Sequence, residues 1–297
     1  MTTILKRVPH RIFVSLALII SLLGTTSILA QEQESKDEVV LTYVEWSSEV
    51  ASTHVAQVVL EELGYQVDIM TVTAIWMWQA VANGDADAHV AAWLPSTHEL
   101  YWTAKKEQVE NLGPNLLGAK IGLVVPTYVT LNGIEELNAN ADKFNGKIIG
   151  IDPASGLMNK TKQVMDDYQL DKLTLEDGSG AEMTKQLALA YENREWIVVT
   201  GWTPHWKFSR WELKYLDDPK GIYQPKGNQA EYIATIVRKG LKEDKPEVYR
   251  ILDNFNWEPA DMEQLMVWNS TEGADPYQNA KRWVDENRDK VNQWLSP

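Results

Sequence analysis

Two successive series of alternating strand and helix patterns constrain the fold of this 297-residue chain more than any other feature. The first series opens with an apolar run at 39–44, a helical pattern at 48–63 that ends at Gly64, and a second apolar run at 66–72. Glycine just past a helical pattern is typical of a helix end. The three segments predict a βαβ unit, and the alternation as a whole predicts the α/β class.

The remaining segments extend the two series. We predict further strands at 87–92, 120–125, 146–151, 173–176, 196–200 and 233–237, and helices at 76–82, 96–109, 157–168 and 183–192. The segment from about residue 245 is mostly helical and is expected to pack on the first lobe. Two series of this kind predict two lobes: residues 39–126 with 235–297 form lobe 1, and residues 127–234 form lobe 2.

The N-terminus has the pattern of an export signal. A basic start precedes an apolar run at 12–23, and Ala30 offers a small residue for cleavage; the basic residues are Lys6, Arg7 and Arg11. We therefore expect a signal peptide at 1–30, a polar linker at 31–38 and a periplasmic or otherwise extracytoplasmic protein. An uncleaved N-terminal anchor is the alternative, although the apolar run is short for a membrane span.

Composition excludes several classes of function. The chain has no cysteine, which rules out disulfides, cysteine-ligated zinc, a cysteine nucleophile and a lipid anchor on an N-terminal cysteine. Residues 1–30 hold three of the 28 basic residues and none of the 42 acidic ones, so the remainder carries 25 basic against 42 acidic residues, a net −17. Such a charge disfavours nucleic acid and anionic lipid as partners.

Three tryptophans each follow a predicted strand. They are Trp46, Trp93 and Trp202, and the crevice outside the carboxyl ends of strands is where open α/β sheets bind ligands. Indole faces attract cations, and they favour a bulky, weakly hydrated cation that has no hydrogen to donate. The three rings therefore predict a cage for a quaternary ammonium group. Taken singly, each of these tryptophans is more often a core residue than a binding residue.

A possible anion site lies in the second series. The segment 152–158 follows a predicted strand and opens a helix, where free backbone N–H groups bind carboxylates. Gly156 would let the backbone approach closely, and His98, near another helix start, could donate a second hydrogen bond. A cation cage joined to a small anion site describes a zwitterion. We keep Trp78 as a residue that supports the site from behind.

Other classes of function have weaker support. A hydrolase could pair Ser155 with His98 or His205, but the chain has no Gly-x-Ser-x-Gly motif and no His-rich metal motif. A carbohydrate-binding module would need aromatic residues exposed on one face. We therefore expect no catalytic residues, no metal site and no cofactor.

Several sequence blocks together resemble the substrate-binding proteins of glycine betaine ABC transporters. They are Tyr-Val-Glu-Trp-Ser-Ser-Glu-Val-Ala-Ser-Thr at 43–53, Ala-Trp-Leu-Pro-Ser-Thr-His at 92–98, Gly-Leu-Val-Val-Pro at 122–126, Gly-Leu-Met at 156–158, Val-Val-Thr-Gly-Trp-Thr-Pro-His-Trp at 198–206 and Leu-Lys-Tyr-Leu-Asp-Asp-Pro at 213–219. The resemblance implies a two-lobed type II periplasmic-binding-protein fold with a ligand cleft between the lobes. The chain departs from the family pattern at 74–78. Relatives often have glycine where this chain has Ile75, and Trp76 follows it here.

The same resemblance implies roles for individual residues. Trp46, Trp93 and Trp202 match the aromatic prism around the ammonium, His98 matches the side chain that binds the carboxylate, and Gly156 and Leu157 match the backbone amides that bind it. The implied function is an osmoprotective receptor that binds glycine betaine, and also proline betaine, and delivers it to the permease and ATPase subunits of an ABC importer. A receptor for choline or carnitine is the alternative within the same fold.

Overall fold

A computed structural model describes residues 38–296. The predicted signal peptide, its uncleaved alternative and nearly all of the predicted linker lie outside these residues. Within the described part, no helix combines the length and the apolar character needed to cross a membrane.

The strands of residues 38–296 form one mixed sheet with the order β2-β1-β3-β9-β4-β7-β5-β6, and β8 pairs with β4. Their bounds are β1 Glu38–Tyr43, β2 Gln66–Thr71, β3 Ala88–Leu94, β4 Val109–Pro126, β5 Lys147–Ile149, β6 Thr174–Glu176, β7 Val199–Thr203, β8 Leu213–Tyr215 and β9 Glu231–Arg238. Parallel pairs join β1 to β3 and β5 to both β6 and β7, and β2 lies beside β1, its partner in the predicted βαβ unit. The α/β class is therefore confirmed.

Helices connect and cover these strands. Their bounds are α1 Ser47–Glu61, α2 Ala74–Asn83, α3 Glu99–Lys105, α4 Gly156–Asp167, α5 Gly180–Asn193, α6 Lys207–Arg210, α7 Leu241–Asp244, α8 Pro246–Asn254, α9 Pro259–Asn269, α10 Pro276–Glu286 and α11 Arg288–Leu295, with short 3₁₀ turns at Ile134–Glu136, Asn138–Phe144 and Lys226–Asn228. Helices α9 and α10 pack on α1, so the tail covers the first series as predicted.

Helix α1 buries the face that its sequence predicts, with one exception. Ala51, Val55, Val58 and Val59 are buried in the core. The helical spacing of the pattern at 48–63 places Leu63 on the same face, but Leu63 is 39% exposed, because the helix ends at Glu61 and the chain then turns towards β2. The prediction for Leu63 is therefore wrong, while the rest of the apolar face holds α1 against the sheet.

Strand β4 is three times longer than the pattern at 120–125 predicts. Its first part, Val109 to Ala119, pairs with β9 through three register shifts, and its second part pairs with β7 and β8. The first part contains Gly113, Pro114 and Gly118, residues that weaken a strand pattern but are accommodated at bulges. The helix predicted at 96–109 runs only as α3, and a turn at 106–108 leads into β4 at Val109. The pairing of β4 changes from one half of the sheet to the other at Ala119 and Lys120.

Candidate functional site

One cavity brings together all six residues that the sequence singles out for binding. Its lining consists of Trp46, Ser48, Glu49, Trp93, Thr97, His98, Ile121, Ile151, Ser155, Gly156, Leu157 and Trp202. The space free of atoms, including its open mouth, is about 300 Å³. The lining comes from both halves of the sheet. One set of residues lies on β3 or follows β1 and β3, and the other lies on the second part of β4 and on β7 or follows β5.

The position of Trp46 follows the prediction. It lies after β1 as the N-cap residue of α1, and its backbone N–H bonds to the carbonyl of Val44 at 2.7 Å. Its ring centroid is 6.1 Å from that of His98. Its indole N–H has no hydrogen-bond partner among the described residues. Trp46 therefore offers its aromatic surface to the cavity beside the imidazole.

Trp93 and Trp202 lie inside strands rather than beyond their ends, which corrects the prediction. Trp93 pairs with Ile233 of β9, and Trp202 pairs with Ile121 of β4. The reason is tertiary: an antiparallel partner extends each ladder past the residue where the local apolar pattern stops. Both indoles still line the cavity.

A chain of hydrogen bonds joins two of the indoles through α1. The N–H of Trp93 donates to Glu49 Oε1 at 2.8 Å, and the hydroxyl of Ser48 donates to Glu49 Oε2 at 2.6 Å. The N–H of Trp202 donates to Ser48 Oγ at 3.2 Å. These bonds fix the orientation of both rings and link β3 to β7 across the cavity.

Sequence reasoning missed Ser48 and Glu49 as site residues. Both are buried and lie in the first turn of α1, directly after Trp46. Polar residues are common in a first helical turn, and an acidic one there suits the helix dipole, so their residue types alone did not mark them as site residues. Their proximity to a predicted cage residue was the signal that could have found them.

His98 is arranged as a neutral hydrogen-bond donor. Its Nδ1 accepts the backbone N–H of Trp93 at 3.2 Å, which assigns the proton of the neutral ring to Nε2. Burial lowers the pKa of His98 to about 3, so the ring is uncharged at neutral pH. Nε2 is buried and has no partner within residues 38–296. The cavity therefore contains a fixed N–H group able to bind a carboxylate.

Helix α4 brings its N-terminus to the cavity. Ser155 is the N-cap, and its Oγ accepts the N–H of Met158 at 3.2 Å. The N–H groups of Gly156 and Leu157, at the first two helical positions, have no acceptor inside the helix. A Cβ on Gly156 would lie 2.8 Å from Thr97 Cγ2 and closer still to the Thr97 carbonyl oxygen. Glycine is therefore required for this approach, as the sequence predicts.

The unusual segment at 74–78 divides into a buried and an exposed part. Trp78 is fully buried, and its ring packs edge-on against His98 with centroids 6.1 Å apart. It supports the site from behind without lining the cavity. Ile75 and Trp76 are 56% and 60% exposed and are absent from the lining. The substitution at these two positions therefore changes the outer surface of α2.

The arrangement expected of a hydrolase does not form. Ser155 Oγ caps α4, and His205 Nδ1 accepts the backbone N–H of Lys207 at 3.0 Å. No hydrogen bond joins Ser155 to His98 or His205 in the described part of the chain. Within the same residues no group of three or more His, Asp or Glu side chains could hold a metal ion.

Solved structures with the same fold define the class of protein. Lactococcal OpuAC, in its closed-liganded conformation with glycine betaine, is 42% identical with a TM-score of 0.82, and the match covers 87% of this chain and 99% of that one. The glycine/betaine/L-proline-binding protein ProX of Borrelia burgdorferi is 36% identical with a TM-score of 0.84, covering 87% and 97%. The fold is that of a two-lobed type II periplasmic binding protein.

The chain belongs to the family of substrate-binding domains of ABC-type glycine betaine transport systems, whose model matches residues 37–286. The glycine betaine/carnitine transport binding protein GbuC of Listeria monocytogenes is 48% identical over 155 residues, which are 52% of this chain. The match spans 50% of that relative's length. Members of this family bind transported substrates and are not enzymes. Substrate-binding proteins of ABC importers are extracytoplasmic.

Proposed function

We propose that the protein binds glycine betaine, and also proline betaine, in a cage formed by Trp46, Trp93 and Trp202. The observation that carries the proposal is the shared lining of one cavity: three indoles stand with a neutral N–H donor on His98 and with the N-terminus of α4. A zwitterion with a methylated ammonium and a carboxylate complements both sets of groups.

The cage holds the cation by cation–π attraction and by contact area. A desolvated cation–π contact contributes roughly 2 kcal/mol, so three faces contribute about 6 kcal/mol before the entropy cost of binding. A micromolar dissociation constant needs about 8 kcal/mol net. The carboxylate contacts of His98 Nε2 and of the Gly156 and Leu157 amides supply the further binding energy.

Choline and carnitine are the alternative ligands. Choline has no carboxylate and would leave the donors of His98 and α4 without an acceptor in a buried site, which is costly. Carnitine has both charges, and the name of the Listeria relative includes it. Carnitine separates the two charges by a longer chain than glycine betaine does, so the two ligands can be told apart by titration.

We further propose that the loaded protein delivers the ligand to the permease and ATPase subunits of an ABC importer in osmoprotection. It does so as an exported protein that associates with the membrane through the transporter. Residues 39–126 with 235–297 form lobe 1 and residues 127–234 form lobe 2. The ligand lies between them and favours the closed state, because it contacts both lobes only there.

Calorimetry with a methyl series tests the cage. We expect affinity to fall in the order glycine betaine, dimethylglycine, sarcosine and glycine, with glycine undetectable. Each N–H that replaces a methyl restores strong hydration and leaves part of the apolar cage unfilled. Proline betaine, carnitine and choline complete the panel. Equal affinities for glycine and glycine betaine would show that the indoles do not bind the cation.

A further inference from the structure

A carboxyl group without a basic partner lies in the wall of the proposed cage. Glu49 is 1% exposed and lines the cavity. Its two oxygens accept the indole N–H of Trp93 and the hydroxyl of Ser48, and no ion pair within residues 38–296 includes it. Burial of a carboxylate is costly unless an opposite charge approaches it. The cavity beside Glu49 is the place from which such a charge could come.

We propose that Glu49 is the counter-ion of the ligand's ammonium group, that only its ionised form binds the ligand tightly, and that binding at slightly acidic pH therefore releases a proton. The inference rests on the proposed function, since it requires a cation in the cage. It adds to the three indoles a residue that selects for charge as well as for shape.

The contact suits a quaternary ammonium because that cation needs no hydrogen-bond acceptor. Both oxygens of Glu49 are already engaged by Trp93 and Ser48, yet Coulomb attraction in a site of low dielectric needs only proximity. The ionised carboxylate also polarises the N–H of Trp93 and makes the face of that indole more negative. Both effects strengthen cation binding when Glu49 is ionised.

The pKa of Glu49 in the ligand-free protein makes the link between ligand binding and proton release measurable. Burial raises the pKa of Glu49 to about 7, against the lowering effect of the hydrogen bonds from Ser48 and Trp93. A cation bound nearby favours the carboxylate and lowers this pKa. Affinity is therefore highest above the pKa of the free protein and falls as the pH decreases through it.

Other titratable groups adjoin the cage and have to be separated from Glu49. Burial lowers the pKa of His98 to about 3, so this ring stays neutral. Lys207 Nζ lies 4.5 Å from the ring centroid of Trp202, and burial lowers its pKa to about 7. His205 packs edge-on against the same indole, and burial keeps it neutral. Lys207 is thus the second possible source of a released proton.

Calorimetry in buffers of different ionisation enthalpy counts the protons released when glycine betaine binds. With a free pKa of about 7, we expect close to one proton per ligand at about pH 6 and almost none at about pH 8.5. The dissociation constant should rise up to about tenfold per pH unit below the free pKa. This count on the unmodified protein needs no variant and so does not depend on how a variant folds.

Two variants assign the proton. Glu49→Gln keeps an acceptor for Trp93 and a polar group for Ser48, and it should abolish the release and weaken binding at about pH 8.5 by roughly tenfold or more. Lys207→Met, a matched removal of the other buried titratable group, should leave the release unchanged. Thermal melting of both variants checks the fold.

The outcomes separate this inference from the proposed function. If the unmodified protein binds glycine betaine without releasing a proton at about pH 6, or if the release survives in Glu49→Gln, the role of Glu49 is overturned while the cage stands. If the Lys207→Met variant binds glycine betaine but no longer releases a proton, the role of Glu49 is overturned as well. If the unmodified protein does not bind glycine betaine at any pH, the proposed ligand itself is wrong.

Discussion

Two trios of tryptophan in this protein are almost equally buried but differ in what their rings contact. The cage residues Trp46, Trp93 and Trp202 are 7%, 4% and 4% exposed, and the trio of the helical tail is 3%, 0% and 1% exposed at Trp257, Trp283 and Trp294. In the tail, Trp283 lies 5.6 Å from Trp257 and 6.0 Å from Trp294, centroid to centroid. Among residues 38–296 no such contact joins two cage indoles.

This difference in ring contacts distinguishes tryptophans that pack in the core from tryptophans that can bind a ligand. In the tail, Trp283 stacks on Trp294 and meets Trp257 edge-on, and Phe255 packs on the other two rings, so the trio fills its own space. In the cage, hydrogen bonds to Glu49 and Ser48 hold two rings by their edges and leave faces towards a cavity. Burial alone therefore does not identify a core residue, whereas the identity of the neighbours does.

The largest expected effect falls on stability and concerns the tail. Trp283→Ala should lower the free energy of unfolding by about 3–5 kcal/mol, because it removes the ring that contacts both of its partners and leaves a void. Urea denaturation measures this. Glycine betaine should bind the folded variant with unchanged affinity. A large loss of affinity would show that the tail trio also shapes the site.

Removal of His98, the hydrogen-bond donor to the ligand's carboxylate, is expected to have the next largest effect, and it should affect binding alone. His98→Ala should weaken glycine betaine by about 1.5–3 kcal/mol, the usual contribution of a hydrogen bond to a charged group. Any weak binding of choline should change little, since choline has no carboxylate. An equal loss for both ligands would assign His98 to packing and make it similar to the tail residues.

Substitution of a single cage residue should have the opposite effect to Trp283→Ala: it should weaken ligand binding and leave the protein folded. Trp46→Ala, Trp93→Ala and Trp202→Ala should each weaken glycine betaine binding by about 1–3 kcal/mol while the protein stays folded. Replacement by Phe should cost less, because an aromatic face remains. Calorimetry and urea denaturation of the same variants measure both quantities. If two of the three alanine variants bind normally, the distinction between the trios fails.

The smallest signal is the change in shape that accompanies binding. Small-angle scattering should show a lower radius of gyration with glycine betaine, since the cavity takes its lining from both halves of the sheet. Trp202→Ala should largely remove the change. Gly156→Ala should also oppose closure, because its Cβ would meet Thr97.

Gly180→Ala is the matched control for that variant. Gly180 is likewise the first residue of a helix after a serine cap, but a Cβ there would meet Trp202 only at an ordinary 3.8 Å. The Gly180→Ala variant should therefore close on the ligand as the unmodified protein does. An unchanged scattering profile of the unmodified protein at saturating ligand would show that the pocket is preformed.

Local patterns predicted most of the elements and pointed to five of the six proposed binding residues, whereas Leu157 was implied by the family resemblance. The βαβ start, the helix at Gly156 and the apolar face of α1 follow from periodicity and capping, which act within a few residues of the chain. The length of β4 and the strand positions of Trp93 and Trp202 did not follow. The length of β4 and the position of Trp93 depend on β9, which lies more than a hundred residues from β3 and inserts between β3 and β4. The position of Trp202 depends on the pairing of β7 with β4.

The sequence by itself determined the alternating architecture, the aromatic residues near the ends of the strands and the helix that begins with Ser155 and Gly156. Only the tertiary structure decided which buried indoles leave a cavity between them, that His98 carries its proton on Nε2, and that Glu49 is buried beside Trp93. The physical reason is that propensity and capping are local properties, whereas burial, tautomer and pKa depend on groups that long-range strand pairing brings together.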